Sequence, residues 1–213
     1  MRRTLALPGL AVIALALLSG CASAPPPLLD ISAHACSSSP DLIAAKSLPL
    51  GESGHPSPVK VDIDDSAPCL QTPQGKSLYA AFRLPDSLSP YLIAVRSLPL
   101  GKGIFVPHLL LLDGTGAVRR QIGQDELEFR GTTLSAIIRS HPGELYLLVA
   151  ATPQSVGKTD SRIIETTRAT GGATGNGGYF YINTGQDETH TFVHAQNGKV
   201  IVYATAIPSL GHH

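Results

Sequence analysis

The chain has 213 residues, a length that suits one sizeable domain. Sixteen Lys and Arg balance sixteen Asp and Glu, so the formal net charge is zero. That excludes the basic footprint of a nucleic-acid-binding protein and the polybasic patch of a charge-anchored membrane protein.

Residues 5–18 form an apolar run behind Arg2 and Arg3, and Leu18-Ser19-Gly20-Cys21 closes it. A basic start, an apolar middle and a small-residue cleavage site make a secretory signal over residues 1–20. The run is shorter than the roughly 20 apolar residues of a membrane span. The cysteine after Leu-Ser-Gly resembles the signal of bacterial lipoproteins. The resemblance implies cleavage before Cys21, a diacylglycerol on its thiol and a membrane anchor. Ala22, rather than Asp, at the second mature position implies sorting to the outer membrane, facing the periplasm. Without Arg2 and Arg3, fourteen basic residues face sixteen acidic ones, so attachment rests on lipid. One acyl chain binds a membrane marginally and several hold firmly.

Residues 21–58 are expected to form the lipidated N-terminus, a spacer and a first strand segment. Ala24-Pro25-Pro26-Pro27 is a short stiff spacer, because proline runs favour extended chain. Of the three cysteines, Cys36 and Cys69 remain once Cys21 is assigned to lipid. An even pair in an exported protein reads as a disulfide, with two free buried thiols as the alternative. Neither cysteine has the spacing of a zinc ligand, so no metal is expected. Leu42-Ile43-Ala44-Ala45-Lys46-Ser47-Leu48-Pro49-Leu50-Gly51 nearly repeats as Leu92-Ile93-Ala94-Val95-Arg96-Ser97-Leu98-Pro99-Leu100-Gly101. This is either a duplicated strand-and-turn unit or separate use of one local solution. The divergent flanks and the lack of a third copy favour the second.

From Val59 to residue 207 the chain reads as one β domain, followed by a tail over 208–213. Val59, Val61 and Ile63 alternate with Lys60, Asp62 and Asp64, the period of a half-buried strand. Further strands are expected over 78–84, 91–95, 106–112, 134–139, 144–151, 178–183 and 200–206. Asp113-Gly114 and Pro142-Gly143 mark turns. The unbroken Leu109-Leu110-Leu111-Leu112 suits a strand buried on both faces. One short helix is predicted over 159–169, with Asp160 near its start. Residues 170–178 are rich in glycine and read as a flexible loop. Short strands with turn chemistry between them predict an all-β, jelly-roll-like β-sandwich with one short helix.

Three segments carry a further resemblance. They are Gly75-Lys76-Ser77-Leu78-Tyr79-Ala80-Ala81-Phe82-Arg83-Leu84-Pro85, Ile104-Phe105-Val106-Pro107-His108-Leu109-Leu110-Leu111-Leu112-Asp113, and Leu145-Tyr146-Leu147-Leu148-Val149 with Thr152 after it. In order and spacing, from about Val59 to Gly178, the chain resembles the maltose-operon periplasmic protein family, MalM. The resemblance implies an exported, β-rich protein associated with maltodextrin uptake, and it carries no catalytic residues with it. The lipidated start, the Cys36 and Cys69 pair and the short tail depart from the family pattern.

Several motifs weaken on inspection. Val156-Gly157-Lys158-Thr159 follows a strand, but Thr152 stands where a phosphate loop needs its first glycine, and Pro153 removes an N–H from the cradle. Gly75-Lys76-Ser77 fails likewise, with Leu70 at that position. His190 and His194 would lie about 13 Å apart on a strand, too far to share one ion, and read as an exposed sheet face. Asp125, Glu126 and Glu128 read as a polar connection rather than a glycosidase pair. No Gly-x-Ser-x-Gly elbow and no His-Glu-x-x-His occurs, so no enzyme and no cofactor are expected. There is no tryptophan to stack on a sugar. Tyr179 and Tyr181 share one strand face after the glycine-rich stretch and are the candidate ligand-binding residues. Two functions remain open. One is a non-enzymatic binding or accessory module in carbohydrate uptake, with an oligosaccharide as partner. The other is an assembly lipoprotein that binds envelope proteins.

Overall fold

The computed structural model describes residues 28–208. Cys21, the predicted signal and residues 209–213 lie outside the described residues. Strands are numbered along the chain. The first sheet runs β9 (Val118–Ile122), β8 (Pro107–Leu112), β12 (Tyr146–Ala151) and β5 (Gly75–Arg83). The far edge of β5 is shared by β1 (Lys46–Ser47) at one end and β4 (Cys69–Thr72) at the other. The second sheet runs β10 (Glu128–Arg130), β11 (Thr133–Arg139), β6 (Tyr91–Leu98) and β15 (Gly198–Ala206). Its edge strand β15 is likewise shared, by β2 (Leu50–Gly51) and β3 (Val59–Ile63).

The core lies between these sheets, as a β-sandwich requires. Strict alternation on β5 sends Leu78, Ala80 and Phe82 inward, and β12 adds Leu147, Val149 and Ala151. The second sheet answers with Ile93 and Val95 from β6 and Val200, Val202 and Ala204 from β15. Burying each large side chain of this set contributes about 1.5–3 kcal/mol. The β8–β9 turn works as its sequence demands. Asp113 Oδ1 accepts from the N–H groups of Thr115 and Ala117, at 2.9 and 3.1 Å, and Gly116 takes the left-handed φ of +83°.

The outer face of the first sheet is also apolar. Tyr79, Ala81, Leu112, Leu148 and Ala150 form a second cluster there. Leu109 and Leu111 belong to the core while Leu110 and Leu112 join the outer cluster, so β8 is lined with apolar side chains on both faces. The N-terminal segment straps one half of this face. Leu42 and Ala45 pack on it, and the Asp41 N–H donates to the Tyr79 hydroxyl at 2.8 Å. The Cys36–Cys69 disulfide pins the strap to β4. Lys76 Nζ reinforces it by donating to the carbonyls of Ser32 and His34. The pairing expected from the cysteine count is therefore present.

The predicted helix over 159–169 is absent. Those residues belong to β13 (Thr159–Ala173), which pairs along its whole length with β14 (Tyr179–Ala195). Thr159, Ile163, Ile164, Thr166 and Thr167 are β-branched, so they lose rotamer freedom in a helix and suit a pleated strand. Cross-strand pairing decided what the local pattern left ambiguous. The loop expected over 170–178 shrinks for the same reason, to the turn over residues 174–178.

Candidate functional site

β13 and β14 make a two-stranded arm. Their ladder of fifteen pairs runs from Thr159↔Val193 to Ala173↔Tyr179, about 50 Å of ribbon. A third strand, β7 (Gly103–Phe105), pairs only with Val193, His194 and Ala195 at the root. The root is well anchored. His194 is 2 % exposed, and its Nε2 lies 3.0 Å from Asp160 Oδ2. Phe192 stacks on Phe129 at 5.9 Å, and the Arg162 guanidinium sits over the Phe129 ring at 4.9 Å. His194 is thus a buried root residue, which corrects the expectation of an exposed histidine face. His190 faces outward beside Glu188, at 3.3 Å.

The candidate tyrosines stand at the far end. Tyr179 and Tyr181 lie opposite Ala173 and Gly171 and share one face with them. They are 79 % and 76 % exposed. Phe180 and Ile182 occupy the other face, opposite Gly172 and Thr170. The small residues shape the aromatics. A Cβ at Gly171 would come within 2.8 Å of the Tyr181 ring, and one at Gly172 within 2.8 Å of the Phe180 ring. The rings therefore lie across bare backbone, the arrangement in which aromatics cover strand glycines. On the tyrosine side this leaves a shallow groove of about 360 Å³. Thr174 closes the tip, its Oγ1 donating to the Gly178 carbonyl at 3.0 Å and accepting from the Gly178 N–H at 3.0 Å. No charged residue occurs over residues 169–186. Flat phenol faces with hydroxyl tips suit stacking on the C–H face of a sugar with a hydrogen bond at its edge.

A second concavity opens on the outer face of the first sheet, on the half that the strap leaves bare. Its floor is Leu70, Leu110 and Ala150, and its volume is about 370 Å³. Gln74, Gln121, Gln124 and Gln154 stand around it, with His108 on the wall. Burial holds the His108 pKa below the usual histidine range, and the Gln121 side chain pulls it back in part. Sequence reasoning missed this cleft. Its four glutamines come from the β4–β5 turn, β9 and two short 3₁₀ turns spread over eighty positions, and no spacing rule links them.

The remaining motifs fall into ordinary structural places. Gly157 and Lys158 sit in a turn that runs into β13, not into a helix. Ser77 Oγ donates to the Ala151 carbonyl, joining β5 to β12. Asp125 and Glu126 lie on a 3₁₀ turn over Gln124–Glu126, and Glu128 lies on β10. The most buried carboxylate among the described residues is elsewhere. Glu144 takes Arg120 Nε at 2.9 Å and Nη2 at 3.0 Å, and the same guanidinium reaches the Arg139 carbonyl on the other sheet.

A family model described as maltose operon periplasmic protein precursor (MalM) matches residues 74–202. The chain belongs to the MalM family. The match runs from the start of β5 into β15, and so includes the central strands of both sheets and the whole arm with Tyr179 and Tyr181. It leaves the strap and Cys36–Cys69 outside. As a MalM protein the chain is a periplasmic, maltose-operon-associated protein. No curated protein and no solved structure matches it.

Proposed function

We propose that this MalM protein is a non-enzymatic envelope lipoprotein that serves maltodextrin uptake as an accessory binding module, held at the outer membrane by lipid on Cys21. The observation that carries the reading is the pair of exposed tyrosines, Tyr179 and Tyr181, on one face opposite Ala173 and Gly171, with the Tyr181 ring laid over Gly171, on an arm about 50 Å long. An aromatic platform of that kind holds a sugar by stacking and needs no charge. The groups around the groove are phenols, glycine and alanine, which bind without reacting. Family membership supports the maltodextrin connection.

Calorimetry with maltodextrins tests the reading. Wild-type protein should bind, and the Tyr179→Ala/Tyr181→Ala variant should bind at least tenfold more weakly with an unchanged circular dichroism spectrum. No heat from the wild type at millimolar sugar would remove maltodextrin binding. Cell fractionation of Cys21→Ser tests the anchor, because the variant should leave the membrane fraction. An assembly lipoprotein is the second reading. It draws support from the arm, whose outer strand edges pair with no other strand among the described residues beyond the short stretch covered by β7. Co-purification of envelope proteins with the wild type, lost on deleting residues 163–190, would favour it.

A further inference from the structure

The two halves of the outer face of the first sheet are treated differently. The strap closes one half with Leu42 and Ala45. The other half remains a concavity of about 370 Å³, within the range of small-molecule sites. Its lining contains no Asp, Glu, Lys or Arg. A charged ligand brought against an apolar floor would lose hydration with no counter-charge to offset it. An uncharged ligand meets no such penalty. Four glutamine amides supply both donors and acceptors around the floor, and the His108 imidazole adds one of each when neutral. That set matches a molecule rich in hydroxyls, each of which donates and accepts. Leu70, Leu110 and Ala150 beneath offer an apolar bed for its C–H face.

We propose that this cleft is a binding site for a neutral, hydroxyl-rich ligand of one or two sugar rings, separate from the tyrosine arm. The site stands on its own geometry, whether or not the arm binds sugar. Its amide rim is exposed, so the ligand enters from solvent without displacing the strap. The apolar floor gives affinity and the glutamines give orientation.

The test is nuclear magnetic resonance titration of the isotope-labelled full-length mature protein with maltose, trehalose and chitobiose at millimolar concentration. At least one should shift the side-chain amides of Gln121 and Gln154 and the ring resonances of His108. The same shifts should appear in Tyr179→Ala/Tyr181→Ala, because the arm plays no part. Gln121→Ala/Gln154→Ala changes two exposed side chains, so the fold should survive, and affinity should fall about tenfold as two hydrogen bonds are lost. Absence of cleft shifts with all three sugars overturns the proposal. So does unchanged affinity in the folded glutamine variant. Tighter binding of maltobionate, the carboxylate analogue, than of maltose overturns the neutral-ligand argument. Loss of the arm's sugar binding alone leaves these shifts intact, so the two readings fail separately.

Discussion

Removing the Cys36–Cys69 bridge is the most quantitative perturbation the fold offers. The cysteines are 33 residues apart, and the loop between them holds most of the strap, β1, β2 and β3. In the chain-entropy model a loop of that length stabilises by about 3.7 kcal/mol, through the freedom it denies the unfolded chain. For a domain of this size that corresponds to a fall in Tm of roughly 7–15 °C. The assay is equilibrium urea unfolding of wild type and Cys36→Ala/Cys69→Ala, with a free-thiol count on the denatured wild type. The m-value should rise in the variant, because the uncrosslinked chain exposes more surface when unfolded. The bond from the Gln71 N–H to the Ser37 carbonyl, 2.8 Å, gives a local check by hydrogen exchange. If that amide loses protection while global stability falls by less than about 1 kcal/mol, the strap detaches alone and the entropic reasoning is refuted.

Three further outcomes are expected. Arg120→Ala leaves the Glu144 carboxylate, 3 % exposed, without its cation and should cost about 3 kcal/mol in urea unfolding. Burial first, then the Glu144 and Asp86 charges, push the Tyr91 phenol up to about 12. The folded state favours the neutral phenol, so this stabilisation is complete below about pH 10 and is lost as pH rises from about 10 to about 12. Phenolate absorbance should show one tyrosine ionising last, together with unfolding. Gly171→Val forces the Tyr181 ring off the backbone, so amide protection near the tip should drop while global stability changes by less than about 0.5 kcal/mol.

Much of the strand pattern was legible. Val59–Ile63 forms as its alternation requires, and β8 is apolar on both faces as the leucine run implies, although its outer face is only half covered, with Leu110 half-buried at the floor of the cleft. Short strands escaped notice. β4, β7, β9 and β10 have three to five residues each, too few for a period to stand out. The tyrosine pair was legible because side chains two apart on a strand share a face. The length of its arm was not: residues 159–169 read as a helix and the glycine-rich 170–178 as a loop, because Thr- and Gly-rich strands with few apolar residues show no clear period until they are paired.

The near-repeat draws the line between the two kinds of information. In the second copy, Leu92 to Leu98 lies within β6, a central strand of the second sheet. In the first, the same residue types break into β1 and β2. The chain crosses from the edge of one sheet to the edge of the other, with Leu48 buried between them. The matching start of the first copy instead turns at Ile43 and Ala44, whose N–H groups donate to Asp41 Oδ1. Local sequence by itself pointed to extended chain over 92–98, to which side chains alternate there, and to Cys36 and Cys69 as the natural pair. These follow from nearest-neighbour sterics, a period of two and the chemistry of an exported thiol. Only the tertiary structure decided which strand each segment meets, which half of the outer face stays open and which glutamines gather there. Those outcomes depend on contacts between residues far apart in the chain, and no local pattern encodes them.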